Sequence, residues 1–112
     1  MQTTVDAVFE EASVPLVRAG HAERGTIFHS TGLKARGRFF AFVRDDDLVV
    51  KLPEERVAAL LAEQTGRPFD AGKGRPMREW IRLRPRDSRT CAAYLGEAYA
   101  FIIAGTPRRP KT

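Results

Sequence analysis

The sequence predicts a two-layer α+β fold. Three helices pack on one face of an antiparallel sheet of four to five strands, in the order α–β–β–β–α–(β)–β–α. Three observations carry this reading. Apolar residues recur at helical spacing near both ends of the chain and once in its middle. Between Gly25 and Leu52 the period changes to two. The connections inside that alternating stretch are about one to three residues long, too short for the crossovers that parallel strands need. A length of 112 residues fits one domain, assigned to 1–105, followed by a basic flexible tail at 106–112.

Val5, Val8, Phe9 and Ala12 form the buried stripe of the first helix, with Thr3 as its cap and Pro15 as its end. Thr26–His29 reads as a short strand, and Gly32 offers a bend or bulge before Leu33–Arg36. Gly37 permits a tight turn into Arg38–Arg44, the strongest strand in the chain. Strict alternation sends Phe39, Ala41 and Val43 to one face and Phe40 and Phe42 to the other. Asp45–Asp47 is a charged turn, after which Leu48–Leu52 returns antiparallel. Phe40, Phe42 and Val49 would then make an apolar second face that loops or a second subunit must cover.

Pro53 suits the first position of the second helix, Glu54 and Glu55 favour its positive end, and Gly66 stops it. Its inner stripe is Val57, Leu60, Leu61 and Gln64. Residues 67–78 read as an irregular loop holding a short strand at Pro68–Ala71. Glu79–Arg84 alternates again, with Ile81 and Leu83 inward and Trp80, Arg82 and Arg84 on the other side. Asp87 or Ser88 caps a last helix to about Ala104, whose seam is Cys91, Leu95, Ala98 and Ile102.

Composition bounds the function classes. With 43% hydrophobic and 29% charged residues the chain reads as globular, and no apolar run approaches the roughly 20 residues of a membrane span. The N-terminus lacks a signal-like pattern, and one cysteine suits a reducing cytoplasm. The net charge of +5 is concentrated at 67–86, where seven basic residues face only Asp70 and Glu79. Such a segment attracts phosphate or an acidic partner, or is simply a solvated face.

Few residues carry chemistry. His21 and His29 lack companions for a zinc site or a triad. Cys91 lies on an apolar seam, where a free thiol is a small core residue. Asp45–Asp47 lacks the alternating ligands of a calcium loop. Gly72-Lys73-Gly74-Arg75 leads into Pro76 and a strand, unlike a P-loop, although its amides could form an anion nest. The candidate nucleic-acid or anion-binding residues are therefore Lys73, Arg75, Arg78, Trp80, Arg82 and Arg84, although packing beneath the final helix or a loop is the favoured role for Trp80. No catalytic residue, metal site or cofactor is expected.

Gly32-Leu33, Gly37-x-Phe39-Phe40-Ala41, Leu48-Val49-Val50-Lys51-Leu52-Pro53, Pro68-Phe69, Arg78-Glu79-Trp80 and Glu97-Ala98 occur in this order. The set resembles the TfoX/Sxy N-terminal-domain-like family, related to MmcQ/YjbR-like proteins, and is most similar to its small single-domain bacterial members. The likeness runs from about Gly25 to Phe101. It implies a helix, three strands, a helix, two strands and a helix. Cys91 departs from the tryptophan expected in many relatives. Full-length TfoX proteins are competence regulators with a second helical domain, for which 112 residues leave no space. Binding of DNA has been suggested for MmcQ/YjbR-like relatives.

The expected function is thus a non-enzymatic cytoplasmic binding or regulatory module. It would act through a protein partner or by self-association, with no membrane role. The alternative is direct nucleic-acid binding through the Arg-rich 67–86 segment.

Overall fold

Helix α1 spans Val5–Arg18 and buries Val5, Val8, Phe9 and Ala12, the stripe expected from their spacing. The computed structural model describes residues 4–27, 30–69 and 78–105 of the chain. The cap is Thr4, whose side chain accepts from the Ala7 amide at 3.1 Å; the expected Thr3 lies outside the described residues. A second acceptor comes from far along the chain, where Asp46 Oδ1 takes the Val5 amide at 3.1 Å. Pro15 does not end the helix. Leu16 and Val17 pack on the core beyond it, and their burial outweighs the backbone bond that proline removes.

The sheet begins with β1 (Glu23–Ile27) and β2 (Ser30–Ala35), an antiparallel pair. The strand expected at Thr26–His29 therefore starts earlier, and its last two residues lie outside the described ones. Next come β3 (Arg38–Arg44) and β4 (Asp47–Lys51). Both tight turns, Arg36-Gly37 and Asp45-Asp46, hold two residues at positive φ, the type I′ pattern that suits twisted hairpins. Helix α2 (Glu54–Ala62), β5 (Arg67–Pro68), β6 (Trp80–Leu83) and α3 (Ser88–Gly105) complete the chain. The strand order is β1-β2-β3-β4-β6-β5, all antiparallel. The two-layer α+β architecture is as expected, with six strands because 23–27 and 30–35 pair as separate strands.

One irregularity redistributes the aromatics. Leu33 pairs with Ala41 but Lys34 pairs with Phe39, so Phe40 is an extra residue in β3. A bulge of this kind sends two successive side chains to the same side. Phe40 joins Ala41 in the helix-side core and meets Tyr99 edge-on at 6.0 Å, instead of sharing the face of Phe42. The bulge lies beside Gly32 rather than at it. Gly32 is a close approach, where an added Cβ would stand 2.8 Å from the Ala41 carbonyl oxygen.

The main core lies between the helices and the sheet, and Val8, Phe9, Leu60 and Leu95 converge in it. The α3 seam of Cys91, Leu95, Ala98 and Ile102 is buried throughout. Asp87 caps α3 by accepting the Thr90 amide at 2.7 Å. At the other end of α2, Gln64 rather than Gly66 adopts the left-handed turn after the last residues, with φ 62°. Gln64 is accordingly exposed, not part of an inner stripe. Pro53 precedes α2 as its cap residue.

The opposite face of the sheet carries a second, smaller core. Phe42, Val49 and Phe69 are buried there, with Ile27 and Trp80 packed against them. The apolar face that required a cover is therefore covered by the chain's own residues.

Candidate functional site

The β4–β6–β5 end of the sheet collects the charge. On β4, Leu48 and Val50 point into the helix-side core and Val49 into the second core, so alternation puts Asp47 on the Val49 face. On β6, Ile81 and Leu83 take the helix side, leaving Trp80 and Arg82 on that same second face. Register then sets Arg82 against Val49 of β4 on one flank and Arg67 of β5 on the other.

Gly66 makes the last step possible. An added Cβ there would stand 2.6 Å from Ile81 Cδ1 and 2.9 Å from the Arg82 carbonyl oxygen. Only glycine lets this loop lie on β6, and the loop carries Thr65 and Arg67 to the site.

Asp47 is the centre, with its side chain only 2% exposed. Its Oδ2 accepts from Arg82 Nε at 3.0 Å and from Arg67 Nη2. Its Oδ1 accepts from Arg84 Nε at 3.0 Å and lies 2.9 Å from Arg84 Nη2. Arg82 also reaches the Arg44 carbonyl at 3.3 Å and Asp45 Oδ2 at 3.4 Å. Burying a carboxylate is costly unless it is paired and hydrogen-bonded, and here three guanidinium groups meet that need. Each aspartate of the 45–47 run thus has a task, Asp45 on Arg82, Asp46 on the start of α1 and Asp47 on the arginine cluster.

Two open clefts adjoin the cluster. One of about 290 Å³ is lined by Asp47, Gln64, Thr65, Arg67, Arg82 and Arg84. The other, about 320 Å³, is lined by Arg86, Asp87, Thr90 and Tyr94, and shares Thr65, Leu83 and Arg84 with the first. Arginine stays charged at all working pH values, so the cluster supplies fixed positive charge and planar donors rather than proton transfer.

The structure brings together only part of the expected set. Arg82 and Arg84 meet at Asp47. Trp80 shares their face, yet its ring packs 5.7 Å from Phe42 and 6.4 Å from Phe69, with Lys51 Nζ 5.7 Å from its centroid. Arg78 turns away to Glu54 at 3.6 Å. Lys73 and Arg75, and with them the Gly72–Arg75 nest, lie outside the described residues. The sequence reading missed Arg67 and Asp47 as members. The available signal was alternation after the Asp-Asp turn, which puts Asp47 on the face shared by Val49 and Lys51.

The other reactive side chains stand apart. Cys91 is buried, and desolvation, helped by Asp87, pushes its thiol up to about 12. His21 packs 5.4 Å from the Tyr99 ring, while His29 lies outside the described residues. Among the described residues no group of three or more His, Cys, Asp or Glu could hold a metal ion, and no helix is long and apolar enough to cross a membrane. No family model, curated protein or solved structure matches the chain.

Proposed function

We propose that the chain is a non-catalytic binding and regulatory module of the TfoX N-terminal-like type, acting in the cytoplasm through a macromolecular partner held at the arginine cluster. The observation that carries this reading is the convergence of Arg67, Arg82 and Arg84 on buried Asp47 beside an open cleft. Forks fixed in this way hold their donors ready for an anionic surface, and less side-chain freedom is lost when the partner arrives. The ordered residues behind the family resemblance support the type. Gly32 permits the close contact of β2 with β3, and Leu48, Val50 and Leu52 build the shared core.

Capture from host lysate, with and without nuclease, tests the reading. The wild-type chain is expected to retain a macromolecule that the Arg67→Gln/Arg84→Gln double variant loses. Equal retention by both chains, or none by either, overturns it.

A second reading takes the partner to be nucleic acid, favoured by the basic excess at 67–86. It expects a labelled duplex or single strand to bind at about 50 mM salt and to dissociate steeply as salt rises. No binding at that salt rejects it. Two features count against base stacking in this reading. The Trp80 ring is engaged by Phe42 and Phe69, and Arg82 is tied to two aspartates.

A further inference from the structure

One carboxylate neutralises one guanidinium, yet Asp47 gathers three. Among the described residues, Asp45 is the other acid paired with the cluster, at 3.4 Å from Arg82, so three positive charges face two negative ones there. The unbalanced charge resides on particular groups. Arg82 is 22% exposed and closed in by both aspartates and the Arg44 carbonyl. The side chains of Arg67 and Arg84 are 61% and 58% exposed, and both line the cleft of about 290 Å³.

Asp47 leaves these two forks incompletely used. It engages Nε and Nη2 of Arg84 but only Nη2 of Arg67. Within the contacts among the described residues, Nη1 of Arg84 and both Nε and Nη1 of Arg67 remain as donors. Thr65 and Gln64 add a hydroxyl and an amide to the same wall. Like charges held close together repel, and a ligand that supplies negative charge relieves that repulsion. Guanidinium forks match the oxygens of a phosphate group in pairs, and the Asp47 contacts fix both arginines before any ligand arrives.

We infer that Arg67 and Arg84, anchored on Asp47 and both lining this cleft, form a binding site for a phosphate-monoester dianion. The site rests on the proposed binding role and names the chemical group that the partner presents. A monoester carries about 1.5 to 2 negative charges near neutral pH, whereas a phosphodiester carries one. Two exposed forks favour the dianion.

The test uses the full chain and two probes at constant ionic strength, phenyl phosphate as monoester and dimethyl phosphate as diester, followed on the arginine side-chain NMR resonances. Saturable shifts are expected at Arg67 and Arg84 with phenyl phosphate, and roughly tenfold weaker binding of dimethyl phosphate, since losing one charge-assisted bond has about that effect. Arg84→Gln is expected to weaken phenyl phosphate by roughly tenfold, and Arg84→Lys to weaken it through loss of the fork. Arg18→Gln, distant on α1, is expected to change nothing. Equal affinity for both probes overturns the dianion assignment, and linear shifts spread over all exposed arginines overturn the site. Should the Gln variant fail to fold, the wild-type comparison of the two probes still decides. Partner capture without saturation here removes this site alone; saturation without any captured macromolecule removes the wider functional reading alone.

Discussion

Arg82 Nε and Asp47 Oδ2 meet at 3.0 Å across the β4–β6 pair, joining a buried acid to an arginine that is itself mostly covered. The contact ties the β3–β4 hairpin to β6, beyond α2 and β5, through two residues separated by 35 positions in the sequence.

Replacing Asp47 by Ala should therefore cost more than an exposed ion pair would. Its removal leaves three guanidinium groups crowded without their shared acceptor. Loss of a buried partner costs about 3–5 kcal/mol, and the half-exposed Arg67 and Arg84 can recover water, so about 2–3 kcal/mol is expected. Urea unfolding measures it. A change within about 0.5 kcal/mol, the range of ordinary surface substitutions, would show that the cluster contributes little to the fold.

Phe40 offers a second test, because the bulge moves it from the second face into the main core. Phe40→Ala should cost about 3–5 kcal/mol, independent of protein concentration, as expected for a cavity next to Tyr99. Equilibrium unfolding at two concentrations checks both parts. A small loss that grows on dilution would instead place Phe40 at an interface between copies.

These residues show what a sequence carries. Alternation marks the strand at Arg38–Arg44 and, over Glu79–Arg84, the inward face of Ile81 and Leu83, because a period of two is local information. It fails at Phe40, since a bulge depends on how β2 sits against β3, where the register shifts between Leu33 and Lys34. Helix ends were misjudged at Pro15 and Gly66 for a related reason. Packing of Leu16 and Val17 carried one helix past its breaker, and Gly66 serves its contact with Ile81 rather than the helix stop. The candidate site was half visible. Arg82 and Arg84 follow from their strand, but Asp47 and Arg67 enter through pairing across β4, β6 and β5, which composition does not encode.

Cys91 gives a pH prediction with a definite sign. Burial raises the thiol from an ordinary value of 9.0 to about 12, so the folded chain favours the neutral form. The stabilisation is complete below pH 9 and is lost as pH rises from there through about 12. Cys91→Ala should flatten that decline in unfolding free energy. Thiol labelling near pH 8 should proceed only through unfolding and accelerate with urea. Rapid labelling of the native chain would show an accessible thiolate.

Gln64 sits at φ 62° just past the end of α2, where a residue with a Cβ is strained and glycine is not. Its side chain is exposed, so little packing is lost when it is removed. Gln64→Gly should therefore raise stability by a few tenths to about 1 kcal/mol, the relief of strain being partly offset by the freer unfolded chain. Gln64→Val should lower it, since a β-branched residue tolerates this conformation least. The pair also separates fold from binding. Gln64 lines the cleft beside Arg67 and Arg84, so the Gly variant, which lacks its amide, should bind phenyl phosphate about threefold more weakly than the wild type while folding more stably. A thermal melt and a phosphate titration on the same sample measure both quantities, and a Gly variant less stable than wild type would show that Gln64 makes a contact outweighing its backbone strain.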